Sequence, residues 1–301
     1  MIEASFHRGS VQVYLGNKSG KYPDGNQVVV TGADQQVAFD TPLVARSLNG
    51  VLGGVDMVIL GHVHEDHLAG LGQCPAVPVW VHEGDVEAAR SWEGMTRHFG
   101  YSPDVLQDWH GRMVRDFFYQ PRPDALSYGD GHVWDLGGGV KVRAHHTPGH
   151  TSGHCVLLVE PEGVAFIGDI DLTGFGPYYG DATSNLAQFR HTLNAVRDID
   201  AQVWVTSHHR AVITDRDAFL TALQAFADKL DQRADKLLGM LHHEPQSLEA
   251  LVAQRLVYPL DYEAAFVNDV ERRMIEQHLR ELEDAGQVRC VDASRGLFAR
   301  A

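Results

Sequence analysis

The chain has 301 residues, 44% hydrophobic and 22% charged, so it has the composition of an ordinary globular protein and enough length to bury a large core. Its formal net charge of −15 excludes a surface that attracts polyanions as a whole, and no nucleic-acid partner is expected. No apolar run approaches the roughly 18 residues of a transmembrane helix, so no membrane partner is expected either.

The opening segment, Met1-Ile2-Glu3-Ala4-Ser5-Phe6, has neither the basic start nor the apolar stretch of a secretory leader. Residues 10–60 alternate apolar segments with turn signals. Val11 to Leu15 is followed by the turn Pro23-Asp24-Gly25-Asn26, then Val28-Val29-Val30, then Gly32-Ala33-Asp34, which predicts hairpins. Val55 to Leu60 reads as a buried strand. It runs through Gly61 into His62-Val63-His64-Glu65-Asp66-His67. Imidazole nitrogens and carboxylate oxygens are the donors that Zn²⁺ and similar ions accept. Histidines two apart on an extended segment point the same way, so one loop can begin two adjacent metal sites.

Pro78 to Val81 predicts another strand and Asp85 to Arg90 a short helix. Residues 91–127 break the strand rhythm with a helical insertion rich in aromatics and containing Arg97, Arg112 and Arg115. Those aromatics either bury against the rest of the chain or form a lid, with Arg97 holding a substrate carboxylate. The strand Val140 to Ala144 leads into Thr147-Pro148-Gly149-His150-Thr151-Ser152-Gly153-His154. Cys155 to Val159 is an apolar strand that places Cys155 in the core. Val164 to Ile167 ends in Gly168-Asp169.

Pro177-Tyr178-Tyr179-Gly180-Asp181 offers two aromatic candidates for substrate contact, Tyr178 and Tyr179. Leu186, Phe189, Leu193 and Val196 lie on one face of a helix capped by Thr183 or Ser184. Val203 to Val205 is a strand leading to Ser207-His208-His209. Beyond residue 228, three helices are marked by Leu237, Leu238 and Leu241, by Leu248, Leu251 and Val252, and by Ile275, Leu279 and Leu282. Gly286 stops the last one, and a hairpin of Val288–Val291 and Gly296–Ala299 closes the chain. Cys74, Cys155 and Cys290 are odd in number and widely spaced, which favours a reducing cytoplasm over a disulfide framework.

Each candidate ligand thus lies just past a predicted strand. Taken together the four motifs resemble the metallo-β-lactamase superfamily, and within it the glyoxalase-II-like hydrolases, over roughly residues 10 to 220. The resemblance implies an α/β fold, an αββα sandwich with metals at one edge. His62, His64 and His150 would bind one ion, Asp66, His67 and His208 a second, and Asp169 would bridge them. Zinc is the expected metal, with iron and manganese as alternatives. His145, His146 and His154 are expected to support the ligands or the fold, and His209 is the rival of His208.

Two adjacent divalent ions make a water acidic enough to supply hydroxide near neutral pH, and Asp66 can orient that nucleophile or take its proton. The implied function is hydrolysis of a small acyl ester, thioester or lactone, with a metal-dependent endoribonuclease as the alternative. β-Lactamases with this motif lack the bridging Asp, the lactonases of the fold carry a Tyr where this chain has Leu172, and the di-iron members carry a Glu where it has His64. The C-terminal residues 229–301 resemble a winged helix following a catalytic domain of residues 1–228. Between Asp269 and Ala285 there are six acidic residues and three arginines, the wrong sign for a DNA-reading helix. Homodimerisation, or walling the active site, is expected of it instead.

Overall fold

A computed structural model describes residues 3–48, 50–241 and 244–301. Met1 and Ile2, at the start of the segment read for a leader, lie outside the described residues.

The valine-rich alternation of the N-terminal half builds the first sheet. Its seven strands lie in chain order, from Phe6–Arg8 through Val11–Tyr14, Gln27–Thr31, Gln36–Phe39, Met57–Ile59 and Val79–His82 to Leu126–Tyr128. The early pairs are antiparallel hairpins; from Gln36–Phe39 onward the pairs are parallel. The second sheet has six strands in the order Val212–Ile213, Val203–Val205, Val164–Phe166, Cys155–Glu160, Lys141–His146, Val133–Asp135.

Period-two alternation decides which side chains meet between the sheets. Val28, Val30, Val37, Phe39 and Ile59 face Val142, Leu157, Val159, Phe166 and Val205 in one buried cluster that includes Cys155. Their neighbours Val29, Ala38, Val58, Val156, Leu158 and Trp204 belong to a second cluster shared with the covering helices. Trp204, for example, stacks on Phe219 of the helix Arg216–Met240 with ring centroids 4.2 Å apart. The result is the αββα sandwich. The helix Leu186–Ala195 forms where its apolar face predicts, but Asn185 caps it by accepting from the Gln188 N–H, in place of Thr183 or Ser184.

The insertion folds as two helices. Trp92–Phe99 starts at Ser91, whose hydroxyl accepts from Gly94, and ends at Gly100 in the left-handed region. Pro103–Asp116 follows, with proline in its first turn, where a missing N–H costs nothing.

The expected boundary at residue 228 falls inside a single helix, Arg216–Met240. Phe219, Leu223, Phe226 and Leu230 pack with the sandwich, while Leu237 joins a separate C-terminal cluster with Leu251, Ile275, Leu279 and Val288. The helix Val267–Asp284 also serves both clusters, giving Val270 and Met274 to the first and Ile275 and Leu282 to the second. Its apolar face is therefore covered by its own chain. Gly286, with φ +67°, ends it, and the hairpin Val288–Asp292 with Leu297–Arg300 pairs with the short strand Gln246–Ser247. Among the described residues no helix is long and apolar enough to cross a membrane. Cys74, Cys155 and Cys290 are all free.

Candidate metal centre and its cavity

Four loops at one edge of the sandwich converge. Met57–Ile59 delivers His62 to His67, the hairpin between Lys141–His146 and Cys155–Glu160 delivers His150, Val164–Phe166 delivers Asp169, and Val203–Val205 delivers His208. All but Asp169 are buried. His62 Nε2, His64 Nδ1 and His150 Nε2 lie 3.1–3.2 Å from one another, and Asp169 Oδ2 is 3.5 Å from His150 and 4.0 Å from His62. On the other side, Asp66 Oδ2 is 3.1 Å from His208 Nε2 and 3.6 Å from His67 Nε2. Asp169 Oδ1 lies 3.2 Å from His67 Nε2 and 3.5 Å from His208 Nε2.

These spacings fit a bound cation. Metal–nitrogen bonds of about 2.0–2.1 Å in a tetrahedron place neighbouring donors roughly 3.3 Å apart. His67 Nε2 and Asp169 Oδ1 are buried without a hydrogen-bond partner among the described residues, a costly state that a cation between them relieves. Two groups, His62, His64, His150 with Asp169 and Asp66, His67 with His208, are each compact enough to hold an ion, and the two oxygens of Asp169 face one group each.

The far nitrogen of nearly every histidine is fixed by a hydrogen bond, as metal-binding imidazoles require. His64 Nε2 donates to Asp181 Oδ2 at 2.8 Å and His67 Nδ1 to Asp40 Oδ2 at 2.7 Å. His150 Nδ1 donates to the Tyr178 carbonyl at 3.0 Å, and His208 Nδ1 to the carbonyls of Gly20 and Asp24 at 2.9 Å each. Asp85 ties the loops together: its carboxylate accepts from Val63 N, Thr151 Oγ1 and Gly153 N.

Electrostatics divides the histidines. Burial pushes His150 down to about 3, and it also pushes His62 well below the ordinary histidine value, where the charge of His67 adds to the effect. Burial acts on His64 and His208 too, but the hydrogen bond and charge of Asp181 outweigh it for His64, at about 9, and Asp169 and Asp66 outweigh it for His208, at about 10. Without a cation, Asp66 and Asp169 favour a proton on the His208 nitrogen that faces them, and Asp181, bonded to the far nitrogen of His64, favours the charged form of that ring. Metal uptake must therefore displace protons.

Above the group lies a cavity of about 390 Å³ whose floor is His64, Asp66, His150, Asp169 and His208. Its walls come from the loop between Val11–Tyr14 and Gln27–Thr31 (Tyr22), the insertion (Tyr101, Trp109, Arg112), the loop after Asp169 (Phe175, Tyr178) and the C-terminal segment (Tyr258, Tyr262, Phe266).

The structure brings all seven candidate ligands together, and His208 enters the group while His209 lines the cavity beside it. Tyr178 lines the cavity with its hydroxyl donating to Asp181. Two expected substrate contacts are corrected. Tyr179 is fully buried and its hydroxyl lies 2.7 Å from His278 Nε2, because consecutive residues of an extended loop face opposite sides. Arg97 points to solvent and pairs with Glu93 one turn away; Arg112 is the arginine at the cavity. Arg112 lies three residues after Trp109 on one helix, with its guanidinium 4.9 Å from the indole ring, so helical phase could have selected it.

His154 accepts from the Asp169 N–H through Nε2 and contacts Thr147 through Nδ1, which links the loops of His150 and Asp169. His146 bonds to the Ser152 carbonyl and stacks on His82, away from the ligands. Asp40, Asp85, Asp181, Tyr22 and the C-terminal rings carried no local motif. Each acts across a gap of chain that only the fold closes.

Residues 31–209, more than half of the chain, match the family model of the metallo-beta-lactamase superfamily. The chain belongs to the metallo-β-lactamase superfamily. It is 26% identical to an atrochrysone carboxyl ACP thioesterase of Aspergillus chevalieri, with 80% of each chain covered. It is 25% identical to a beta-lactamase-like protein 2 homolog of Drosophila melanogaster, covering 83% of this chain and 77% of that one. Among solved structures it superposes on a beta-lactamase domain protein from Burkholderia ambifaria with a TM-score of 0.73, at 17% identity, covering 97% of this chain and 93% of that one. Family membership and the thioesterase relatives make this metallo-β-lactamase-fold protein a hydrolase.

Proposed function

We propose that the protein hydrolyses a small acyl thioester, ester or lactone at a pair of divalent metal ions, with a thioester as the first choice. The observation that carries the reading is the shared surface: the convergent His and Asp donors form the floor of a cavity whose walls are aromatic. When bound, divalent ions at these groups would acidify a water and polarise the substrate carbonyl. The thioesterase relatives favour an acyl thioester among carbonyl substrates.

The chain's own residues supply the rest. Asp66 and Asp169 bring two carboxylates to the floor, and in this reading Asp66 would orient the attacking water or take its proton. Asp181 gathers the His64 imidazole and the hydroxyls of Tyr101 and Tyr178, and so fixes both a ligand and a wall. Arg112 is the one lysine or arginine among the cavity residues, enough for a single carboxylate and too little for a polyanion. In this reading residues 1–228 carry the reaction, and the winged-helix-like residues 229–301 complete the wall through Tyr258, Tyr262 and Phe266.

The test is a comparison of kcat/KM on acyl N-acetylcysteamine thioesters, p-nitrophenyl esters, lactones and single-stranded RNA in one buffer, with the metal content measured on the same sample. Thioesters should lead, with close to two ions per chain. A preference for RNA that is lost in Asp66→Ala would overturn the substrate assignment, and a content of one ion or fewer after growth with ample zinc would overturn the pair.

A further inference from the structure

Among the described residues twenty line the cavity; eight of them are Phe, Tyr or Trp, and none is Ala, Val, Leu, Ile or Met. The chain as a whole is only 9% aromatic and its buried clusters are rich in Val and Leu, so the cavity differs sharply from the core beside it. From this contrast we propose that the protein takes a planar aromatic acyl group, selected by a wall of rings that the C-terminal segment completes. The proposal rests on the hydrolytic reading of the site and names the shape of its substrate.

The rings form a continuous surface. Tyr101 stacks with Phe266 at a centroid distance of 6.2 Å and an interplanar angle of 21°, and Trp109 meets Phe266 edge-on at 5.2 Å. Tyr258 meets Phe266 edge-on at 6.2 Å, stacks on Tyr262 at 5.2 Å, and receives Phe175 edge-on at 5.5 Å. Each ring is thus braced by another. A braced ring has no rotamer freedom with which to mould itself to a flexible chain, as Leu or Met would. It offers a flat π-face to a flat partner, a contact stronger than its buried area alone implies.

The chain spends specific bonds on holding this wall. Glu271, fully buried, accepts from the N–H groups of Leu256, Val257 and Tyr258, and so fixes the start of the segment. The Tyr258 ring lines the cavity, so its hydroxyl would donate to a polar substituent on the bound ring. Phe175 and Tyr262 extend the wall to the mouth, where they are 43% and 44% exposed. The reaction is ordinary hydrolysis: water adds its oxygen to the acyl carbon, the C–S bond breaks, and the sulfur leaves as a thiol carrying a proton from that water.

The experiment compares a flat ring system with its saturated counterpart. The N-acetylcysteamine thioesters of 2-naphthylacetic acid and decahydro-2-naphthylacetic acid share a carbon skeleton, and the methylene isolates the carbonyl from the ring electronically. The planar thioester should lead in kcat/KM by about tenfold, the size of a good ring–ring contact. That ratio should fall toward one in Phe266→Leu and in Tyr262→Leu. Tyr262 is half exposed, so its variant keeps the fold even if the Phe266 variant does not.

Calorimetric binding of the two free acids, which needs no turnover, forms a second arm. If neither thioester is hydrolysed, the hydrolytic reading fails while the binding arm still decides ring selectivity. Tighter binding of 2-naphthylacetate, weakened in Tyr262→Leu, supports the proposal. Equal or inverted preference in either arm overturns it.

Discussion

The floor of the cavity and its aromatic wall are held by different means. On the floor, each candidate ligand leaves a strand end of the sandwich, and buried carboxylates or carbonyls fix its orientation: Asp40 for His67, Asp181 for His64, Tyr178 for His150. On the wall, the rings other than Trp109 sit outside the helix interiors, and the side chains of two helices fix the backbone of several of these loops. Arg233 donates to the carbonyls of Phe175 and Pro177, Arg273 to those of Phe99, Gly100 and Gly180, and Gln277 to that of Tyr179. The floor is therefore precise because it stands on sheet. The wall is precise only as long as the helices Arg216–Met240 and Val267–Asp284 stay docked. The first construction suits chemistry, which tolerates little displacement, and the second suits selectivity, which can change by replacing a loop.

The largest test of this contrast lies on the floor. Asp169→Ala takes an oxygen from both groups and should lower kcat/KM by more than the ~100-fold typical of residues that merely support a ligand. His145→Ala, off the site, should leave it nearly unchanged. Equal losses would mean that the roles are wrongly divided. Asp181→Asn keeps a hydrogen-bonding side chain beside His64 but removes its charge, and should weaken metal affinity by about 10- to 100-fold in a competition titration. An unchanged affinity would show that His64 needs no such support.

On the wall the first effect is on stability. Glu271→Ala strands three backbone N–H groups and should cost about 3 kcal/mol in urea unfolding. A loss below about 1 kcal/mol would show that the segment is fixed elsewhere.

The smallest expected effect is a pH dependence. Burial holds His278 down to about 3, beside the Tyr179 hydroxyl. The unfolded chain protonates this histidine near pH 6.5 and the folded one does not. Its contribution is therefore whole above pH 6.5 and is lost as pH falls toward 3. The melting temperature should drop on acidification from pH 7 to pH 5, and less steeply in His278→Gln. Parallel curves would remove His278 from the cause.

The two regions also differ in how far the sequence revealed them. The floor was legible because its first loop packs four donor residues into six positions, and because strand-then-turn patterns place His150, Asp169 and His208 at the same edge. The helical insertion followed from the break in the strand rhythm, and the closing hairpin from the two short apolar stretches after Gly286. The wall was legible only in outline: the insertion and the C-terminal module were each expected to wall the site in one of two readings, but which rings do so was not. Phe266 and Tyr101 meet across 165 positions of chain, and no local pattern distinguishes a ring that lines a cavity from one that fills a core. Tyr178 and Tyr179 are chemically alike neighbours, and only the direction of the backbone separates the one at the cavity from the one at His278. That the helix Arg216–Met240 runs through residue 228 was hidden for a related reason: hydrophobic patterning marks where helices lie, not that one helix serves two cores.

Asp85 carries a consequence of its own. Its carboxylate joins the loop of His62 and His64 to the loop of His150 through Val63, Thr151 and Gly153. A Cβ on Gly153 would lie 2.6 Å from the Asp85 Cγ, so the joint closes only around a glycine. The loops are thus clamped to each other by bonds in which no ion takes part. The ordering entropy of bringing them together is met during folding, and little of it is left for the moment of loading. On the proposed reading of this group as a metal site, loading would find the loops already where folding set them, and loss of metal would end activity before it loosened the joint.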